Sequence, residues 1–206
     1  MDIKPVSAVD IVTSSRAFSR WGDGEWNAVL DLRKGRANTD GHKYFDDMRE
    51  ALRSVLRKPQ RYDMGMQGLA RRIMGDQIEA WLERNGASFE WMRADTFHDA
   101  AMRGDWAFKD AFTAESHAVV GPVHLRPVFP NARFVEVHTK NCWLDYNGLL
   151  KLAGRSVGKV KRIGFCAGMM SKVMIDDMFG GDVQLLDFGS VFDPLGGVKS
   201  RGYMRQ

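Results

Sequence analysis

The stretch VKRIGFCAGMMSKVMIDDMFGGDVQLLDFG, residues 160–189, decides the fold. VKRIGFC reads as a β-strand and AGMM as a glycine turn. SKVMIDDMFGG reads as a helix that closes on two glycines, and VQLLDFG as a further strand. A strand, a helix and a strand joined by turns this short make a parallel βαβ unit. The turn lacks the full G-x-G-x-x-G pattern of dinucleotide-binding loops.

Working outward, the same alternation recurs. Upstream, HAVVG (117–121) and RFVEVH (133–138) are short β-rich runs, and CWLDYNGLLKLAG (142–154) is helical and stops at glycine. AFSRWGDGEW (17–26) is a short strand running into a glycine turn, and residues 25–33 form the helix that follows. In KYFDDMREALRSVL (43–56), Phe45, Met48, Leu52, Val55 and Leu56 share one helical face, and Pro59 ends the helix. RYDMGM (61–66) is a strand. LARRIMGDQIEAWLERNG (69–86) is a helix with Leu69, Ile73, Trp81 and Leu82 on a rough apolar stripe. Residues 89–115, aromatic and charged, read as helix with loops.

The expectation is an α/β fold with a Rossmann-like, mainly parallel sheet flanked by helices. It forms a single domain over residues 1–206, with a short flexible N-terminus and a basic tail carrying Lys199, Arg201 and Arg205. Ligands of such sheets bind beyond the carboxyl ends of the strands. That edge would carry the loops 22–25, 139–145, 167–171 and 188–193.

The bulk properties exclude several classes. A chain of 206 residues fits one domain, with roughly 70% of its unfolded surface removed from water on folding. Two cysteines, Cys142 and Cys166, lack the paired spacing of a zinc site or a disulfide framework and read as reduced thiols of a cytoplasmic protein. The first residues hold no signal-peptide core, and no apolar run is long enough for a membrane span. A net charge of +4 permits a polyanionic partner without requiring one. Twelve methionines read as adaptable core filler.

SRWGDGEW, residues 19–26, carries the densest chemistry. In extended or turn backbone, Asp23 and Glu25 point the same way. Two hard carboxylate oxygens suit Mn²⁺ or Mg²⁺ bound together with substrate phosphates. Gly22 and Gly24 let a ligand approach the backbone, and the Arg20 fork can meet a phosphate oxygen. The alternative is an ordinary turn, since Gly-Asp-Gly is common turn chemistry.

The motif resembles the Arg-aromatic-Gly-Asp-Gly-Glu signature of the GT-D glycosyltransferases, a family first described as a domain of unknown function. RADTFHD (93–99), FVEVHTKNCWLDYNGLL (134–150) and the segment 161–193 resemble later parts of the same family in order, so that the likeness spans residues 15 to 195. The resemblance implies a metal-dependent transfer of a sugar from a nucleotide-diphosphate sugar, foremost a UDP-sugar, to a hydroxyl acceptor. It makes Asp23 and Glu25 metal and catalytic residues, and Arg20, Gly22 and Gly24 donor-site residues. The chain departs from the family at His138, where a proline is common.

Other residues carry two readings each. Lys140 and Asn141 either hold donor phosphate and sugar hydroxyls or cap a loop. Ser171 either meets an anion at a helix N-terminus or caps the helix, while Lys172 reads as solvated. Asp187 either binds the donor or forms a turn. His98, His138 and Asp145 are candidate general bases for the acceptor hydroxyl. Trp21, Trp26 and Trp143 either stack on a base or sugar, or pack in the core. The acceptor is a glycan, a glycoprotein or DNA, including modified bases of phage DNA in an infected bacterial cell. A nucleotide- or nucleic-acid-binding module without catalysis is the reading from a different class.

Overall fold

Among the described residues eight strands pair into one sheet, and every pairing is parallel. They are β1 (Ile3–Lys4), β2 (Phe18–Trp21), β3 (Asp63–Met66), β4 (Trp91–Arg93), β5 (His117–Gly121), β6 (Arg133–Glu136), β7 (Arg162–Phe165) and β8 (Gln184–Asp187). Their spatial order is β1-β4-β3-β2-β8-β7-β5-β6. The computed structural model describes residues 1–32 and 42–199. Arg33, at the end of the helix expected over 25–33, and Arg201 and Arg205 of the basic tail lie outside the described residues.

Parallel pairing forces each connection to cross over the sheet, so helices cover both faces. One face is packed by α2 (Asp23–Val29), α3 (Asp46–Arg57), α4 (Gly68–Arg84), α7 (Tyr146–Gly154) and α8 (Met170–Met178). The other face is packed by α1 (Ala8–Thr13), α5 (Thr96–Met102), α6 (Ala107–Thr113) and the 3₁₀ segment Val123–Val128. β2 and β8 are the two central strands. The chain winds outward from β2 through β3 and β4, and reaches β8 from the opposite side through β7. The carboxyl ends of β2 and β8 therefore flank the switch point where such sheets bind ligands.

The second face is a phenylalanine core. Phe18, Phe97, Phe108, Phe112, Phe129, Phe188 and Phe192 are fully or almost fully buried, and Phe97 meets Phe188 edge-on at 5.0 Å. Two mid-strand glycines make room for these rings. A Cβ on Gly65 would lie 2.6 Å from Phe18 Cζ and 3.1 Å from Ala94 Cβ, and one on Gly164 would meet Phe188 and Phe112 at 2.9–3.0 Å. Gly65→Ala is accordingly expected to destabilise the protein by about 1–3 kcal/mol, the usual cost of overpacking. An unchanged urea midpoint would show that Phe18 has room to turn away.

Several expectations need correcting. The N-terminus is docked rather than flexible: β1 extends the sheet beside β4, and α1 buries Ala8, Ile11 and Val12. Residues 89–115 contain a strand, β4, before their helices. On α4 the buried stripe is Ala70, Met74, Ile78, Trp81 and Leu82, while Leu69 and Ile73 are exposed. The spacing was helical, but the buried face is rotated by about one residue from the one expected. Of the two readings given for Trp21 and Trp26, core packing is the one that holds, since neither has exposed surface.

Candidate active site

β2 ends at Trp21, and Gly22 is the N-cap of α2 in extended backbone. Asp23 and Glu25 are therefore the first and third residues of a helix, not neighbours on an extended face. Two helical steps turn them about 200° apart, and they point to different surroundings. Glu25 is buried, whereas Asp23 is half-buried. The cause is local: Glu25 Oε2 accepts the Gly22 backbone N–H at 2.9 Å, satisfying an orphan donor of the helix start. The Asp23 backbone N–H goes to Gln67 Oε1 at 3.1 Å. A Cβ on Gly22 would come within 2.9 Å of Gln67 Oε1, whereas one on Gly24 would meet open space.

Lys172 is the central residue, and it is not solvated. It lies in the first turns of α8 with its side chain 4% exposed. Its Nζ donates to Glu25 Oε1 at 2.8 Å, to Asp187 Oδ2 at 2.9 Å and to Gly168 O at 3.1 Å. All three ammonium protons are thus directed at acceptors. Asp187 is fully buried; its Oδ2 also accepts the Arg20 backbone N–H at 3.1 Å, and its Oδ1 accepts the Gly189 N–H at 3.1 Å. Burial alone would push the Glu25 carboxyl up, but the Lys172 charge and the Lys172 and Gly22 hydrogen bonds hold it below its ordinary value. Burial would likewise lower the Lys172 ammonium, but Asp187 and Glu25 raise it above its ordinary value.

Arg20 stands at the end of β2. Its Nε donates to Ala94 O at 3.1 Å, Nη1 to Phe188 O at 2.8 Å, and Nη2 to His98 Nδ1 at 3.1 Å. A guanidinium accepts nothing, so His98 Nδ1 is the acceptor of that bond. Gly189 has φ +59°, and a Cβ there would lie 2.3 Å from Arg20 Nη1. Only glycine fits beneath the guanidinium. Among the described residues no carboxylate forms an ion pair with Arg20, whose charge stays available at the crevice.

The remaining expected site residues follow β6. His138 Nε2 lies 3.3 Å from Asp145 Oδ2, and both side chains are exposed. Lys140 is exposed. Asn141, at φ +54°, accepts the Lys43 backbone N–H on Oδ1 at 2.8 Å and so closes a loop. Ser171 sits inside the first turn of α8, after the N-cap Met169, and its hydroxyl accepts the Ala167 N–H at 3.2 Å. β6 is four strands from β2, roughly 19 Å across the sheet. The 138–145 loop turns back toward the middle, where Cys142 Sγ contacts Ala167 O at 3.4 Å. Cys142 and Cys166 are both buried free thiols, and burial pushes the Cys142 thiol up to about 11.

Arg20, Asp23, Glu25 and Asp187 are thus brought together at the central strands with Lys172 and His98. His138, Lys140, Asn141 and Asp145 form a second group. Sequence reasoning missed Lys172 as a member. The available signal was a lysine inside the apolar run MMSKVM, which a buried partner must neutralise.

No group of three or more His, Cys, Asp and Glu side chains that suits a metal exists among the described residues. Asp23 fits a divalent cation that arrives with a diphosphate, since such ions take one or two protein carboxylates beside phosphate oxygens. Glu25 fits poorly, because Lys172 and the Gly22 N–H already claim its two oxygens.

Comparison with solved structures now decides the architecture. The structure titled "The highly conserved domain of unknown function 1792 has a distinct glycosyltransferase fold" superposes with a TM-score of 0.67, at 16% identity, over 94% of this chain and 82% of that one. The chain has the glycosyltransferase fold of domain of unknown function 1792. A second structure of this domain, titled as a new glycosyltransferase from Streptococcus sanguinis, gives a TM-score of 0.67 at 16% identity over 95% of this chain and 86% of that one. No protein-family model and no curated protein sequence matches this chain. The likeness to the domain 1792 fold matches the α/β architecture expected from residues 160–189, and the sheet proves to be parallel throughout.

Proposed function

We propose that the chain is a glycosyltransferase that takes its sugar from a nucleotide-diphosphate donor, with a UDP-sugar as the first candidate. One observation carries the reading. A half-buried arginine that has no carboxylate partner among the described residues, Arg20, precedes a half-buried aspartate, Asp23, at the switch point of a glycosyltransferase fold. An anionic donor supplies the charge that Arg20 lacks, through the planar donor geometry that suits phosphate. The open space over Gly24 lets the diphosphate approach the backbone.

Asp23 is the residue that would hold Mn²⁺ or Mg²⁺. When bound, such an ion supplies Lewis-acid stabilisation of the charge that develops on the departing nucleoside diphosphate. Lys172, Glu25 and Asp187 act beneath this surface. They fix the start of α2, the first turn of α8 and the end of β8 relative to one another, which preorganises Arg20 and Asp23. His138 and Asp145 suit the acceptor side: with Nε2–H turned to Asp145, Nδ1 is left as the base for an acceptor hydroxyl.

The test is a panel of nucleotide sugars with Mn²⁺ or Mg²⁺, reading nucleoside-diphosphate release, with calorimetry of donor binding alongside. Binding of one donor, with release abolished by chelator, is the expected result. A panel in which no donor binds and none is cleaved overturns the proposal.

A further inference from the structure

A second cavity lies away from the Arg20–Asp23 crevice. It is a cleft of about 820 Å³ between α3 and α7, floored by α8, within the 300–1,000 Å³ typical of small-molecule sites. α8 divides it from the central cluster: Lys172 faces β2 and β8, while Val173, Asp176 and Asp177 of the next turn line the cleft. His138 and Asp145 stand at the end of the cleft nearest the carboxyl edge of the sheet.

Its lining combines an apolar plate with hydrogen-bond acceptors. The Trp143 and Tyr146 rings lie 4.6 Å apart with their planes 34° from parallel. The Tyr146 hydroxyl donates to Asp177 Oδ2 at 2.6 Å, which fixes the ring. Phe45 lies on the opposing wall, and Leu144 and Leu152 are 71% and 43% exposed on the α7 side. The charged lining is strongly one-sided. Asp47, Glu136, Asp145, Asp176 and Asp177 face it, with Lys58 as the opposing lysine. Asp176 is neutralised by Lys58 and Arg61 and Glu136 pairs with Arg126, and Asp47, Asp145 and Asp177 keep the cleft acidic.

We infer that this cleft is the acceptor site and that it takes a saccharide without negative charge, stacked on Trp143 and Tyr146. The inference rests on the transferase reading above. Sugar rings offer apolar C–H faces to aromatic plates, and their hydroxyls donate to carboxylates, which are acceptors only. The same carboxylates repel a phosphate backbone, so the cleft selects against DNA although the chain as a whole carries a charge of +4. The saccharide lies along α7 with one hydroxyl donating to His138 Nδ1 at the His138–Asp145 end.

The test is saturation-transfer NMR on a panel of neutral gluco- and galacto-oligosaccharides of two to four rings, with a twenty-nucleotide single-stranded DNA as comparison. At least one saccharide is expected to bind the wild-type protein, with affinity reduced tenfold or more in Trp143→Ala and largely kept in Trp143→Phe. Melting temperature controls for folding, since Trp143 is only half-buried. Absence of binding by every saccharide, binding indifferent to Trp143→Ala, or DNA binding that Trp143→Ala abolishes would each overturn the inference. Nucleotide-sugar binding by the wild-type protein, measured separately, distinguishes the outcomes. Saccharide binding without donor binding leaves the cleft standing and removes the transferase reading, and the converse removes the cleft alone.

Discussion

Lys172→Met is expected to destabilise the protein by about 3–5 kcal/mol, the cost of removing one partner from a buried ion pair. The substitution conserves most of the side-chain volume, so the loss is electrostatic. It strands Glu25 and Asp187, with side chains 10% and 0% exposed, beside each other without a cation. The sign with pH separates this from a packing defect. In the wild-type protein the Glu25 carboxyl is held below its ordinary value, so its contribution is present above the unfolded-state pKa and is lost as pH falls through the folded-state one. The raised Lys172 contributes below its unfolded-state pKa, and that contribution is lost as pH rises through the folded-state value. In the variant, burial acts on Glu25 against only the backbone N–H bonds and pushes its carboxyl up, so the folded state binds protons more readily than the unfolded state. The deficit relative to wild type should therefore shrink between pH 7 and pH 4.5. Urea midpoints at both values check it: a deficit that is constant or grows toward acid would mean that the ammonium is not what neutralises the pair. Lys172→Met combined with Glu25→Gln and Asp187→Asn should recover much of the loss, because neutral groups of the same shape need no counter-charge.

The same residue marks the boundary of what the sequence makes legible. The βαβ run at 160–189 announces itself because strand, glycine turn and helix differ in local chemistry over a few residues each, and the resulting parallel sheet then dictates which loops share an edge. The glycine turn at Gly22 between β2 and α2 was readable for the same reason. β1 and β4 were not, because strands of two and three residues hold no usable period; their pairing is determined by β3, far along the chain. Leu69 and Ile73 misled because helical spacing gives a face but not which neighbour covers it. Lys172 needs partners from two distant segments before burial is tolerable, and nothing within MMSKVM names them. Asp23 and Glu25 were misjudged together for a smaller reason. The helix starts at Asp23 rather than at Glu25, and that shift converts a shared face into two opposed ones.

Asp23 and Glu25 should consequently behave as different kinds of residue despite standing two apart. Asp23→Ala is expected to reduce sugar transfer by 10²–10³-fold or more, the loss seen when one preorganised charge-stabilising group is removed, while the urea midpoint stays unchanged. Its carboxylate is half-buried at the crevice, and among the described residues no hydrogen bond or ion pair ties it to a buried partner. Glu25→Ala is expected to lower stability first, because it deprives Lys172 of an acceptor inside the protein and leaves the Gly22 N–H unsatisfied at the start of α2. Glu25→Gln is the more informative change. The amide oxygen can still accept from Gly22, and Asp187 still faces Lys172. Manganese binding in the presence of UDP, followed by electron paramagnetic resonance, then reads the two roles apart. Asp23→Ala should abolish the bound-manganese signal, and Glu25→Gln should retain most of it. If Glu25→Gln stays folded and loses manganese as completely as Asp23→Ala, then Glu25 is a ligand after all, and Lys172 must release it when the donor arrives. Retention by Glu25→Gln would instead assign the ammonium of Lys172, rather than a metal ion, as the resident counter-charge of Glu25 and Asp187. The acidic pair of SRWGDGEW would then divide its labour, with one carboxylate facing the ligand and the other holding the floor beneath it.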